Sequence, residues 1–92
     1  MDDLIKIVRA YRLTAGLAER LRLAEAIFHL IAPDLRAFVF SALVPQAAED
    51  VAQEVLISIT NSLIKFEGKS NGEFWKWCYQ IARRKIRRPF FY

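Results

Sequence analysis

A chain of 92 residues has room for one domain around one small core. Its make-up, 54% apolar and 26% charged with a net charge of +4, is that of a folded soluble protein and excludes a disordered tail. The charge is uneven: residues 64–92 carry eight Lys/Arg against two Glu, a balance of +6, whereas residues 1–63 carry six against eight, a balance of −2.

Gly16, Pro33, Pro45, Gly68, Gly72 and Pro89 punctuate the chain, and apolar residues recur at helical spacing in the long intervals between them. The expectation is an all-α domain, a compact bundle of four to five helices over residues 1–88, with residues 89–92 as a tail or the start of a linker. Asp2 to about Leu13 reads as a short amphipathic helix with Leu4, Ile7, Val8 and Tyr11 on one face and two aspartates at the favourable end of its dipole. This acidic start is unlike a basic leader, and no stretch reaches ~18 uncharged apolar residues, so a cytoplasmic protein without a membrane span is expected. From Leu17 the residues Leu17, Leu21, Ala24, Phe28 and Ile31 stand in register, and Leu35, Phe38, Val39 and Ala42 continue an apolar face past Pro33. Two helices, or one kinked at Pro33, would satisfy this pattern.

A further helix should begin just after Pro45 and run to about Phe66 on the face Ala48, Val51, Val55, Ile59, Leu63 and Phe66. The last begins near Asn71, packs through Phe74, Trp77, Cys78 and Ile81, and stops before Pro89. The terminal aromatics Phe90, Phe91 and Tyr92 follow; left exposed they would favour association.

Nothing in the chain assembles a catalytic group, a metal site or a cofactor site. Cys78 is the single cysteine and lies in an apolar-periodic segment, where it reads as core. His29 is the single histidine and has no second ligand-type residue spaced to match it, so it reads as ordinary helix surface or core. Glu19 and Glu25 read as solvated helix charges. An enzyme is not expected.

Two features go beyond packing. On the third helix Asp50, Gln53, Glu54 and Ile57 stand at i, i+3, i+4 and i+7, a polar stripe ending in a large aliphatic and turned away from the core face. Plain solvated surface has the same look. On the last helix Lys76, Gln80, Arg83, Arg84 and Arg87 form a basic ridge opposite Phe74, Trp77 and Ile81, able to neutralise several phosphates. The loop Glu67 to Gly72 beside the ridge offers small polar groups and backbone N–H for reading a base. Trp75 stands off the core face, where it could stack on an unpaired base or cap the core edge.

The segment AEDVAQEVLISITNSLIKFEGKS...FWKWCYQIARRKI, residues 48–86, resembles region 2 of bacterial RNA polymerase sigma factors, in the extracytoplasmic-function (ECF) branch of the sigma-70 family. Ala48-Glu49-Asp50-Val51-Ala52-Gln53-Glu54-Val55 looks like the AEDhhQEhF-type helix of that family. Phe66-Glu67-Gly68 looks like its FxG loop, and Trp77 to Arg84 like its W-L-x-x-I-A-x-N helix. LIAPDLRAFVF, residues 30–40, is similar to the Y-A-P-x-L-x-x-F helix upstream. Cys78 stands in place of the usual leucine, Arg84 in place of the usual asparagine, and the loop from Phe66 to Phe74 is about two residues longer than the common pattern.

The resemblance implies a transcription initiation factor. Asp50, Gln53 and Glu54, with Ile57 extending the stripe, would dock on the coiled-coil clamp helices of the polymerase beta-prime subunit. Gly68, Lys69, Ser70 and Asn71 would accept a base flipped from the non-template strand of the promoter minus-ten element, with the ridge helix lying along the DNA. Trp77 matches the family's core tryptophan. The family also implies an anti-sigma factor covering both surfaces, and a second helix-turn-helix domain, region 4, which nothing after Arg88 could encode. The alternative is a sigma-like regulatory adaptor that binds an anti-sigma factor or another helical protein without promoter activity. Attachment of the basic helix to a membrane surface is a third option, disfavoured because Trp77 and Ile81 are expected in the core.

Overall fold

The computed structural model describes residues 3–87. The chain forms α1 (Asp3–Leu13), α2 (Leu17–Ala42), α3 (Pro45–Ser62), a single 3-10 turn (Leu63–Lys65) and α4 (Asn71–Arg87), with no strand among the described residues. The four helices pack around one apolar cluster, α1 against α2 and α4 and α3 against α2 and α4, which is the expected all-helical bundle. The expectations for Asp2 and for residues 88–92 lie outside the described residues.

α2 crosses Pro33 without a break. Proline removes one N–H from the helical ladder and crowds the preceding turn. Here its ring is on the exposed side, so the carbonyl of His29 that loses its usual partner stays within reach of water. At about 1.5 Å per residue, α2 is longer than either of its antiparallel neighbours.

The buried stripe of α2 is Ile27, Ile31, Leu35 and Val39, all within 1% of complete burial. Of the expected face Leu17, Leu21, Ala24, Phe28 and Ile31, only Ile31 is core; Leu17 and Leu21 are 71% and 61% exposed, and Phe28 is partly so. Further on, Leu35 and Val39 are buried as expected, Phe38 is half-buried and Ala42 is exposed. The reason is tertiary. The i, i+4 row of branched aliphatics lies in the core cluster shared with α3 and α4, whereas the row through Leu17 and Leu21 is left at the surface.

In α1, Leu4 and Val8 are buried, Ile5 joins them, and Ile7 and Tyr11 pack at the rim of the cluster. Asn71 at the start of α4 accepts the N–H of Ile5 through Oδ1 at 2.8 Å, satisfying one orphan donor of the first turn of α1 and tying the two helix starts together.

Pro45 is the first residue of α3, where its missing N–H costs nothing. Ala48, Val51, Val55 and Ile59 form the buried face as expected, joined by Ala52 and Leu56. The helix ends at Ser62, four residues short of the expected boundary. The chain tightens into the 3-10 turn, and extended Phe66 donates its N–H to the Leu63 carbonyl at 3.1 Å. Both Leu63 and Phe66 remain core, because the tighter turn still delivers them to the same side.

Phe66, Phe74 and Trp77 form one aromatic cluster, with Phe66 edge-on to Phe74 at 5.2 Å and tilted against Trp77 at 5.2 Å. Cys78 and Ala82 complete the buried face of α4, while Trp77 and Ile81 are half-buried at its margin. Burial pushes the Cys78 thiol up to about 12, from a reference of 9.0. The folded chain therefore keeps the thiol proton to higher pH than the unfolded chain does. The stability this contributes is complete below pH 9.0 and is lost as pH rises towards about 12. Native protein at neutral pH should react with a chromogenic disulfide only as fast as it opens, and Cys78→Ala should remove part of the alkaline fall in stability. Rapid stoichiometric modification of the native protein would contradict this burial.

Candidate functional site

α3 exposes Asp50, Gln53, Glu54 and Ile57 together, with Ile57 58% accessible. The preceding acid of the same segment, Glu49, does different work. Its carboxylate accepts two hydrogen bonds from the fork of Arg36 on α2, at 3.1 and 3.3 Å, and the Arg36 guanidinium also lies 5.1 Å over the Phe40 ring. Those hydrogen bonds hold the Glu49 carboxyl below its usual range and raise Arg36. Because the pair is solvent-facing it orients α2 on α3 more than it stabilises the fold. Glu54 lies 3.9 Å from Lys85 Nζ and so links α3 to the end of α4.

Beside the α3 stripe runs a groove of about 370 Å³ whose walls are Phe28, Ala32 and Arg36 from α2 and Gln53, Leu56 and Ile57 from α3. Its lining is mainly apolar, and Phe28, expected in the core, is instead one of its walls. The surface around Gln53 is thus a carboxylate-amide edge next to an apolar slot, a form that suits a helix bearing both basic and aliphatic side chains.

On α4, Lys76, Gln80, Arg83, Arg84 and Arg87 are all exposed. Counting 100° per residue, Lys76, Gln80, Arg83 and Arg87 fall within about 60° of arc, with Arg84 about 40° outside that sector. Trp75 is not brought together with them. It lies on the far side of α4, half-buried, its ring 5.8 Å from that of Tyr79, which itself meets Phe38 of α2 edge-on at 5.0 Å. This packing agrees with the core-edge reading of Trp75.

The loop before α4 is held by its own polar groups. Ser70 Oγ accepts the Glu73 N–H at 3.1 Å and donates to Glu73 Oε1 at 3.2 Å, and the same oxygen accepts the Lys69 N–H at 3.0 Å. Ser70-Asn71-Gly72-Glu73 is thus an S-x-x-E capping box, legible in the sequence but not read there. Gly68 has a negative φ, so its need for glycine is steric: a Cβ there would stand 2.3 Å from Cζ of the buried Phe66 ring. Lys69 and Ser70 are exposed, while half-buried Asn71 faces α1 through its hydrogen bond to Ile5.

Between this loop and the ridge is an open hollow of about 370 Å³. Buried Phe66 and half-buried Trp77 are among its lining residues, with Lys65, Glu67, Gly68, Glu73, Lys76 and Gln80. Sequence reasoning placed the glycine loop and the ridge but not the aromatic lining, because Phe66 and Trp77 read simply as core. A planar ring could lie on those aromatics, with Lys76 and Gln80 at its edge and the arginines beyond to hold an attached backbone.

Among the described residues no three His, Cys, Asp or Glu side chains gather to hold a metal ion, and no helix is long and apolar enough to cross a membrane. His29 is exposed beside the Phe28 ring, and Glu19 pairs with Arg22 on the surface of α2. The Sigma-70 region 2 family model matches residues 27–90. No curated protein and no solved structure matches the chain.

Proposed function

The chain belongs to the Sigma-70 region 2 family, and we propose that it is a promoter-recognition domain that docks on the beta-prime clamp helices through α3 and engages the minus-ten element through α4. Domains of this family are non-enzymatic parts of sigma factors that bind RNA polymerase core and promoter DNA in transcription initiation. The observation carrying the assignment is that neighbouring helices present chemically opposite outer faces. The exposed stripe Asp50, Gln53, Glu54 and Ile57 meets an apolar groove at Gln53 and Ile57, and the exposed ridge Lys76, Gln80, Arg83, Arg84 and Arg87 meets a hollow lined in part by Phe66 and Trp77 at Lys76 and Gln80.

The division of labour follows from the chemistry. Extruding a base costs a few kcal/mol of stacking and pairing. The hollow over Phe66 and Trp77 offsets that cost by giving the base a new π-surface, and the arginine ridge supplies counter-charge for the strand. Lys76 and Gln80, which line the hollow, would contact the base, and exposed Lys69 in the loop would reach the strand beside it. Gly68 and Ser70 act by shaping the loop, and Asn71 by anchoring it to α1. The sequence pattern of residues 48–86 supports reading the domain as one of the ECF branch, in which an anti-sigma factor would restrain it by covering the same two faces.

The test is salt-dependent binding to a single-stranded minus-ten oligonucleotide. Each phosphate neutralised contributes about 0.7 to the slope of log affinity against log salt for single strands, so Arg83→Ala with Arg87→Ala should flatten that slope by about 1.4 and weaken binding at low salt. An unchanged slope would remove α4 as the DNA face. Equal retention of a scrambled oligonucleotide would favour the adaptor reading, in which the same folds of surface serve a protein partner alone.

A further inference from the structure

A second cleft opens on the other side of Trp77, between α3 and α4. It measures about 500 Å³, within the range of small-ligand sites. Its floor is the flank of Trp77 and Ile81, one wall carries the hydroxyls of Ser58 and Ser62 one helical turn apart on α3, and its rim carries Lys65, Arg84 and Lys85. Lys65 and Arg84 are exposed at that rim, and Lys65 follows the last turn of α3, where the helix dipole adds negative potential that a cation offsets. The carboxylate paired with this rim is Glu54, at the edge of ion-pair distance from Lys85.

We infer that this cleft binds a phosphorylated nucleoside, its phosphates held by Lys65, Arg84 and Lys85 with the serine hydroxyls, and its planar ring laid against Trp77. The combination is specific in kind. Three cations and two hydroxyls lining one cleft favour an anion of more than one charge, and a half-buried indole beside an aliphatic favours a flat apolar group joined to it. A simple anion would use the rim and leave the floor bare; an apolar ligand would leave the cations without a counter-charge. The site shares Arg84 and Trp77 with the proposed DNA face, and Lys65 also lines the hollow of that face, but it stands without that reading, since Ser58, Ser62 and Lys85 have no part in it. The nucleotide has two conceivable sources, a free mononucleotide or a residue of a bound strand, and both present the same phosphate and ring.

Lys85 makes the site testable in both directions. Glu54 draws Lys85 towards α3, so a phosphate must compete with that carboxylate. The probe is ADP, titrated into the full chain carrying Trp75→Phe so that Trp77 is the remaining tryptophan and its emission reports the floor. Saturable quenching is expected. Losing one charge-assisted contact should make Lys85→Gln bind ADP roughly tenfold more weakly. Lys76→Gln, on the opposite hollow, should change it less than about twofold, and Glu54→Gln should bind ADP more tightly, a gain that loss of folding cannot imitate. A parallel arm uses a short single-stranded oligonucleotide. Selective weakening by Lys85→Gln in that arm alone would assign the cleft to a nucleotide of the strand. Absence of saturation with both probes, or equal loss from Lys76→Gln and Lys85→Gln, would overturn the site while leaving the Arg83 and Arg87 test of the DNA face unaffected.

Discussion

Phe74→Ala is expected to lower the unfolding free energy by about 3–5 kcal/mol, the range for emptying a buried phenylalanine site. Phe74 has no exposed surface and lies edge-on to Phe66 at 5.2 Å and tilted to Trp77 at 5.8 Å, so its removal empties the centre of the aromatic cluster. Against a total stability of about 5–15 kcal/mol for a small domain, that loss leaves a marginal fold. Urea denaturation followed by circular dichroism measures it, and Phe74→Leu should recover a substantial part by refilling the volume. The effect should reach the hollow as well. The Phe66 ring that Phe74 supports is the one whose position dictates glycine at residue 68, so a loosened ring lets the loop wander. Phe74→Leu, though folded, is therefore expected to bind a minus-ten oligonucleotide more weakly than the native chain. A loss of stability under about 1 kcal/mol for Phe74→Ala would show that the cluster is not what holds α4 to the 3-10 turn.

The sequence told most where one periodic pattern had no competitor. Ala48, Val51, Val55, Ile59, Leu63 and Phe66 all came out buried, since a single apolar row runs along that helix with charged residues opposite. α2 carries two rows, Leu17-Leu21-Ala24-Phe28 and Ile27-Ile31-Leu35-Val39, each at legitimate helical spacing. Local pattern cannot choose between them, because the choice is made by how far α1 and α3 extend along α2. The end of α3 was misplaced for a related reason: no glycine or proline marks Ser62, and the switch to a 3-10 turn keeps Leu63 and Phe66 in place. The stripe Asp50, Gln53, Glu54, Ile57 and the ridge on α4 were legible as outward faces, because each is the complement of a clear core face. Hidden were the ties across sequence distance. Arg36 to Glu49, Glu54 to Lys85 and Ile5 to Asn71 depend on the packing of separate helices, and only the Ser70-Glu73 cap could have been found by spacing alone.

Replacing Asp50, Gln53 and Glu54 together by alanine should weaken binding to a beta-prime coiled-coil fragment by roughly 10- to 100-fold, about 1.4–2.8 kcal/mol, while leaving the fold intact. The fold should survive because all three side chains are exposed and the ion pair of Glu54 with Lys85 is a surface pair contributing about 1 kcal/mol or less. Binding should not survive so well, because these groups offer two carboxylates and an amide to a basic helix. Salt separates the charged part of the contact from the apolar part. The carboxylate contribution should fade as ionic strength rises past the point where the Debye length falls to a few ångströms. The contribution of the groove should persist, and Ile57→Ala, or Phe28→Ala on its other wall, should therefore cost affinity at high salt as well as low. If the triple variant binds the fragment as tightly as the native chain at low salt, α3 is solvated surface and the polymerase assignment fails. If Ile57→Ala is neutral at every salt concentration, the groove is not part of the contact and the stripe acts by charge alone.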